Sequence, residues 1–304
     1  MNFTAKDVQA LREKTGCGMM DCKKALTECD GDIDKAVDYL REKGIASQAK
    51  KSARVAAEGL VVAVSNDEAG LVLEVNSETD FVAGGDGFKA LCENIANIAL
   101  EQNPAGVDAL LKCTKDGKTV EELVQEYFLV VRENMKVRRF ARFDGVVANY
   151  VHAGGKIGVI AKFDTSAEIA ASDDFKTMGK DVCMQIAALN PSYLNEETVP
   201  AEAVEHEKAI MVAQMKEDPK MANKPEQVLE KIVLGKMGKF FKENCLVNQE
   251  FVKDNTMNVQ QYIDSVAKKL GGEIKIVGFE RFEKGEGIEK REDNFADEVA
   301  GMIK

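Results

Sequence analysis

Residues 58–191 run through one short plan twice, and this constrains the fold more than any other feature. Glu58-Gly59-Leu60-Val61-Val62-Ala63-Val64 resembles Asp144-Gly145-Val146-Val147-Ala148-Asn149-Tyr150. Gly70-Leu71-Val72-Leu73 has the character of Lys156-Ile157-Gly158-Val159-Ile160, Asp86-Gly87-Phe88-Lys89 matches Asp173-Asp174-Phe175-Lys176, and Asn103-Pro104 matches Asn190-Pro191. Self-similarity along a chain marks a repeated structural unit. Each unit reads as two strands joined by a hairpin, then a loop, then a helix. Two such β-β-α units predict an α+β fold in which helices pack on small antiparallel sheets.

The flanking segments are helical by period. Thr4 and Asp7 have the spacing of a capping box, and Val8, Leu11 and Arg12 follow at helical intervals. A second helix spans Met20 to Cys29 and a third Ile33 to Lys43, with Gly44 as its expected stop. These form a three-helix domain over 1–46, followed by a basic linker over 47–57. Core subdomains follow, the first over 58–143 and the second over 144–194 and 237–282. Between the two parts of the second, residues 195–236 read as a projecting helical hairpin that turns at Pro219 and whose second helix opens at Pro225, a candidate dimerisation device. Thr256 to Leu270 reads as a helix and Glu273 to Phe282 as a strand. Residues 283–304 form a C-terminal helical module, whose helix Asn294 to Ile303 carries the apolar stripe Phe295, Val299, Met302 and Ile303.

Composition narrows the function. A net charge of −11 argues against a general nucleic-acid binder. The seven cysteines include no CxxC pair, and His152 and His206 are the only histidines. Zinc ligation and Cys-His or Ser-His-Asp chemistry therefore lack their residues, and no cofactor or metal is expected. Gly235-Lys236-Met237-Gly238-Lys239 lacks the spacing and final hydroxyl of a phosphate loop. No signal peptide or membrane span is legible, so a cytoplasmic protein that is not an enzyme is expected.

One segment stands apart. Asn76-Ser77-Glu78-Thr79-Asp80-Phe81-Val82-Ala83 follows the apolar strand Leu71 to Val75, and on an extended chain Asp80 and Phe81 would point to opposite faces. The second unit has Thr165-Ser166-Ala167-Glu168 at the matching place. The fold therefore requires neither Asp nor Phe there, and the pair is a specialisation of one copy. An acid and a large ring without catalytic neighbours suggest a wedge pushed into another protein. His152 falls at the expected tip of the second unit's hairpin.

The segments Leu11-Arg12-Glu13-Lys14-Thr15-Gly16-Cys17-Gly18-Met19-Met20-Asp21-Cys22-Lys23-Lys24-Ala25-Leu26 and Glu74-Val75-Asn76-Ser77-Glu78-Thr79-Asp80-Phe81-Val82-Ala83 are similar to the two signatures of the bacterial translation elongation factor Ts family. The resemblance extends to Gly285-Glu286-Gly287-Ile288-Glu289-Lys290. It implies a guanine nucleotide exchange factor for the GTPase elongation factor Tu, built as a three-helix bundle like a ubiquitin-associated domain, a duplicated core, a helical hairpin and a C-terminal module. It implies partner contacts at Arg12, Met19, Met20, Thr79, Asp80, Phe81, Val82, Val131, Arg132 and His152, in a one-to-one or two-to-two complex. Gly84 and Gly85 depart from the family's usual residues after the alanine. The alternative expectation is a ubiquitin-type or ribosome-associated binding module that uses only the first domain.

Overall fold

The computed structural model describes residues 3–217 and 226–289. The chain begins with α1 (Ala5–Thr15), α2 (Met19–Glu28) and α3 (Ile33–Lys51). The capping box forms: the Thr4 N–H and hydroxyl donate to Asp7 Oδ2 at 2.6 and 2.8 Å, and these bonds hold the Asp7 carboxyl below its ordinary pKa. Val8, Leu11, Leu26, Ala36 and Leu40 form the bundle's core.

Gly44 does not stop the third helix. Helix α3 continues to Lys51, so the predicted linker over 47–57 begins inside it. The glycine is needed for close approach: a Cβ there would lie 2.1 Å from Cδ2 of Leu129. The local C-cap signal was a long-range packing requirement.

The first unit comprises β1 (Glu58–Ser65), β2 (Ala69–Ser77), α4 (Asp80–Gly84), α5 (Asp86–Gln102), α6 (Val107–Leu110), β3 (Thr114–Lys115), β4 (Lys118–Thr119), α7 (Val120–Val131) and β5 (Met135–Asp144). The second comprises β6 (Val146–His152), β7 (Ile157–Asp164), α8 (Ala167–Ala171), α9 (Asp173–Leu189), α10 (Ala201–Glu217), α11 (Glu226–Asn244), β8 (Glu250–Phe251), β9 (Asp254–Asn258), α12 (Val259–Leu270) and β10 (Lys275–Glu283). The main sheets are antiparallel, ordered β1-β2-β5 and β10-β7-β6.

The duplication is longer than its sequence trace. Helices α7 and α12 both start from capping boxes, Thr119 with Glu122 and Asn258 with Gln261. Each ends on a left-handed residue, Arg132 at φ 59° and Gly271 at φ 72°. The next strand in each unit then slips by one residue against its partner, at Arg138 in β5 and at Val277 in β10. The complete unit is therefore hairpin, two helices, small hairpin, capped helix and bulged strand. The pair α10–α11 is inserted where the first unit has only α6.

Several boundaries differ from the sequence reading. Helix α11 runs to Asn244, past the hairpin's expected end at Lys236 and through Gly238, because Met237, Phe240 and Phe241 join the apolar seam with α10. Thr256 lies in strand β9, and the helix starts only after the Asn258 cap. The expected turn at Pro219, the helix start at Pro225 and the helix Asn294 to Ile303 lie outside the described residues.

The two sheets pack back to back. Val61 and Val72 meet Ile160 and Phe282 between them, while α5 and α7 cover the outer face of one sheet and α9 and α12 that of the other. Strand β2 is consequently buried along its whole length. This explains why Leu71-Val72-Leu73 is a continuous apolar run instead of the alternation of a half-solvated antiparallel strand. The sheets touch closely at Gly158, where a Cβ would lie 2.5 Å from Cγ1 of Val61.

A carboxylate is buried beside this core. Glu74 is fully inaccessible and accepts from Arg138 Nη1 at 2.9 Å, Arg139 Nε at 2.6 Å, Asn76 Nδ2 at 3.0 Å and the Gly285 N–H at 2.8 Å. It joins β2 to β5 and to the turn that follows β10.

Candidate functional site

The wedge residues are helical, not extended. Thr79 caps α4, its Oγ1 accepting the Val82 N–H at 3.3 Å, so Asp80 and Phe81 are separated by about 100° around a helix instead of lying on opposite faces. The match between the units also shifts by one residue. Thr79 corresponds to Ser166, which caps α8 through the Ile169 N–H, and Thr165 stands one place earlier. Asp80 and Phe81 thus correspond to Ala167 and Glu168, and the contrast that singled out the pair persists.

The helix is anchored on its inner side. Val82 and Ala83 are buried in the first unit's core, while Phe81 is 87% exposed and Asp80 is exposed. Val82, expected to touch a partner, is an internal anchor whose burial leaves it little surface. Thr79 is exposed, yet its N–H and hydroxyl donate to the Glu133 carboxylate at 3.0 and 2.7 Å.

Gly84 is open, with nothing within 4 Å of an added Cβ, whereas at Gly85, which adopts φ −70°, an added Cβ would lie a close 3.2 Å from the Val82 carbonyl oxygen. Gly85 precedes α5 where Ser172 caps α9 by accepting the Phe175 N–H at 3.2 Å, so the first unit lacks that cap.

A second apolar element is presented by the bundle. Met19 and Met20, on the first turn of α2, are 58% and 73% exposed. They border an open groove of roughly 970 Å³ between α1 and α2, also lined by Phe3, Val8 and Arg12. Beside Met20, Asp21 accepts from Arg132 Nη2 at 2.8 Å. Val131 is half-buried against the first unit's core, and its neighbour Val130 is exposed beside Gly16.

The third element is the β6–β7 hairpin. His152 is exposed, with Nδ1 2.9 Å from the Tyr150 hydroxyl. The hairpin turn lies along β1, where the Val61 N–H donates to the Gly155 carbonyl at 2.8 Å. Val61 lies mid-strand opposite Glu74, three residues from the Glu58–Ser77 pair at the end of β2 that leads into Thr79. The fold therefore packs the His152 hairpin on the first strand of the sheet whose second strand leads into Asp80 and Phe81.

Neither Glu133 nor Asp21 is singled out by any pattern in the sequence. The signal for Glu133 lies in the duplicated topology, because it corresponds to Gly272 of the second unit once α7 is matched to α12. Among the described residues no group of three or more His, Cys, Asp or Glu could hold a metal ion, and no helix is long and apolar enough to cross a membrane. The buried Cys92 and Cys183 thiols are pushed well above the ordinary range by desolvation, the opposite of what a nucleophile requires.

A family model described as Elongation factor TS matches residues 78–286. Elongation factor Ts of Nitratiruptor sp. is 47% identical over 310 aligned positions that cover 100% of both chains. Elongation factor Ts of Trichlorobacter lovleyi is 45% identical over 309 positions, covering 99% of this chain and 98% of the relative.

Proposed function

The chain belongs to the elongation factor Ts family, and from that premise we propose that it releases GDP from elongation factor Tu by wedging Asp80 and Phe81 beside the GTPase's Mg²⁺ and phosphate site. The observation that carries this reading is Phe81: an aromatic ring 87% exposed on a helix whose next two residues are buried. Burying such a ring in a partner yields about 2–3 kcal/mol, enough to offset a small displacement of the element it enters. Mg²⁺ demands near-ideal octahedral geometry, so a small displacement weakens its hold. Asp80 brings negative charge toward the same network. The coupling is reciprocal: a factor that weakens GDP is weakened by GDP in the same ratio. Exchange is therefore accelerated without a preferred direction, and no covalent chemistry is needed.

On this reading Arg12, Met19 and Met20 grip the same GTPase domain, with the bundle acting as a docking module of the ubiquitin-associated type. Arg132 and Val131 lie behind them, and His152 faces a second region of the GTPase. The work is cytoplasmic and needs no direct nucleic-acid contact. The α10–α11 hairpin, with Leu234 66% exposed, is a surface through which two copies could assemble into a two-to-two complex. Release of labelled GDP from purified elongation factor Tu tests the central reading: acceleration by substoichiometric amounts of this protein is expected, and an unchanged release rate would overturn it.

A further inference from the structure

Arg132, Glu133 and Asn134 are consecutive, and each bonds a different part of the exposed end. Arg132 reaches Asp21 on α2, and its carbonyl accepts from the Lys51 ammonium at the end of α3. Both oxygens of Glu133 are engaged by Thr79, the cap of the wedge helix. Asn134 donates its N–H to Glu78 at 2.6 Å and its amide to the carbonyls of Ser52 and Arg54 at 3.3 and 2.8 Å.

The corresponding residues of the second unit are Gly271, Gly272 and Glu273. Gly271 adopts a left-handed φ without penalty, whereas Arg132 holds φ 59° with a full side chain, a conformation unfavourable for an L-residue. The first unit therefore keeps a strained arginine and a glutamate where the fold is satisfied by two glycines. Strain is retained where the surroundings over-determine it, and here they consist of the wedge and the bundle.

We propose that Glu133 is a positioning residue for nucleotide exchange: its carboxylate fixes the Thr79 cap and so holds the Asp80-Phe81 helix at the angle from which it acts. The specialisation of the first copy then has two halves, Asp80-Phe81 and Arg132-Glu133, separated in sequence and joined through Thr79. Glu133 does not need to touch the partner. A carboxylate accepting two hydrogen bonds at a helix start restrains both the entry backbone and the first turn. Without it, the start of α4 keeps the weaker Thr79 bond to Val82, the bond from the Ser77 hydroxyl to the Thr79 carbonyl, and its inner anchors.

The inference rests on the exchange reading above, and one experiment separates the two. GDP release from elongation factor Tu is measured over a range of factor concentrations for the wild type, Glu133→Ala, Glu133→Gln, Thr79→Val and the Glu133→Ala/Thr79→Val double variant. Thermal unfolding of each is recorded alongside. If the wild type does not accelerate release, the exchange reading fails. If it does, Glu133→Ala is expected to lower the maximal rate about tenfold while the half-saturating concentration changes less than threefold. Glu133→Gln, which keeps an acceptor oxygen, should recover most of the rate, and the double variant should be no slower than the worse single variant. A wild-type maximal rate in Glu133→Ala, a loss confined to half-saturation, or fully additive losses would overturn the positioning role. So would a lowered rate that merely tracks a lowered unfolding temperature across the set.

Discussion

The carboxylate of Glu74 accepts the backbone N–H of Gly285 at 2.8 Å, in the interior of the protein and across most of the chain. Burial alone would raise the Glu74 pKa. The bonds from Gly285, Asn76, Arg138 and Arg139 outweigh it, and the net shift is below the ordinary 4.5. A carboxylate depressed in the folded state contributes stability above its unfolded pKa and loses it as pH falls through the folded value. Glu74→Gln should therefore destabilise the protein by about 3–5 kcal/mol near pH 7, because two arginines lose a buried partner. The gap between wild type and variant should narrow as pH drops below 4.5. Urea unfolding at several pH values measures this, and a pH-independent gap would contradict the assignment.

Phe81→Ala separates stability from activity. The ring is almost fully exposed, so removing it should change the unfolding free energy by less than about 0.5 kcal/mol. Stimulated GDP release should fall at least tenfold. Circular dichroism melting and the release assay on the same preparation provide the two readings.

Gly158→Ala tests the contact between the sheets. The added methyl would meet Cγ1 of Val61 at 2.5 Å and Cγ2 of Val72 at 3.1 Å, both fully buried and β-branched. Such side chains have few rotamers to escape into. Overpacking should cost roughly 1–3 kcal/mol, and a compensating Val61→Ala should recover part of it. Denaturant midpoints of the two single variants and the pair would show the coupling.

Gly85→Ser supplies the cap that the second unit has at Ser172. Its backbone, φ −70° and ψ 139°, nearly matches that of Ser172, so the added Cβ requires only a small give from the Val82 carbonyl oxygen 3.2 Å away. The added cap and the reduced freedom of the unfolded chain should stabilise the protein by about 0.5–1 kcal/mol, read as a rise in melting temperature.

The fold was legible where its signals were local. The Thr4–Asp7 cap, the two β-hairpins and the Asp-x-Phe-Lys helix starts all depend on residues a few positions apart. What was missed depended on distant partners. Gly44 reads as a helix end until Leu129 is placed against it, and the Thr79–Glu133 bonds connect residues that no local pattern relates. The later half of the duplication was invisible because only caps, a left-handed residue and a bulge survive there, and each tolerates different side chains: Thr or Asn at the cap, Arg or Gly at the left-handed position. The wedge itself was legible as a contrast between copies, although its helical geometry was not.

The insertion of α10–α11 enters and leaves the second unit at nearly the same point. Tyr193 bridges Cys245, and the backbone bonds from Ser192 to Asn244 and from Leu246 to Tyr193 close the neck. A chain tied off in this way can lengthen, shorten or exchange its inserted helices with little entropic penalty to the core. The protein thus has a site open to evolutionary experiment, physically insulated from the duplicated sheets and from the exposed tip they support.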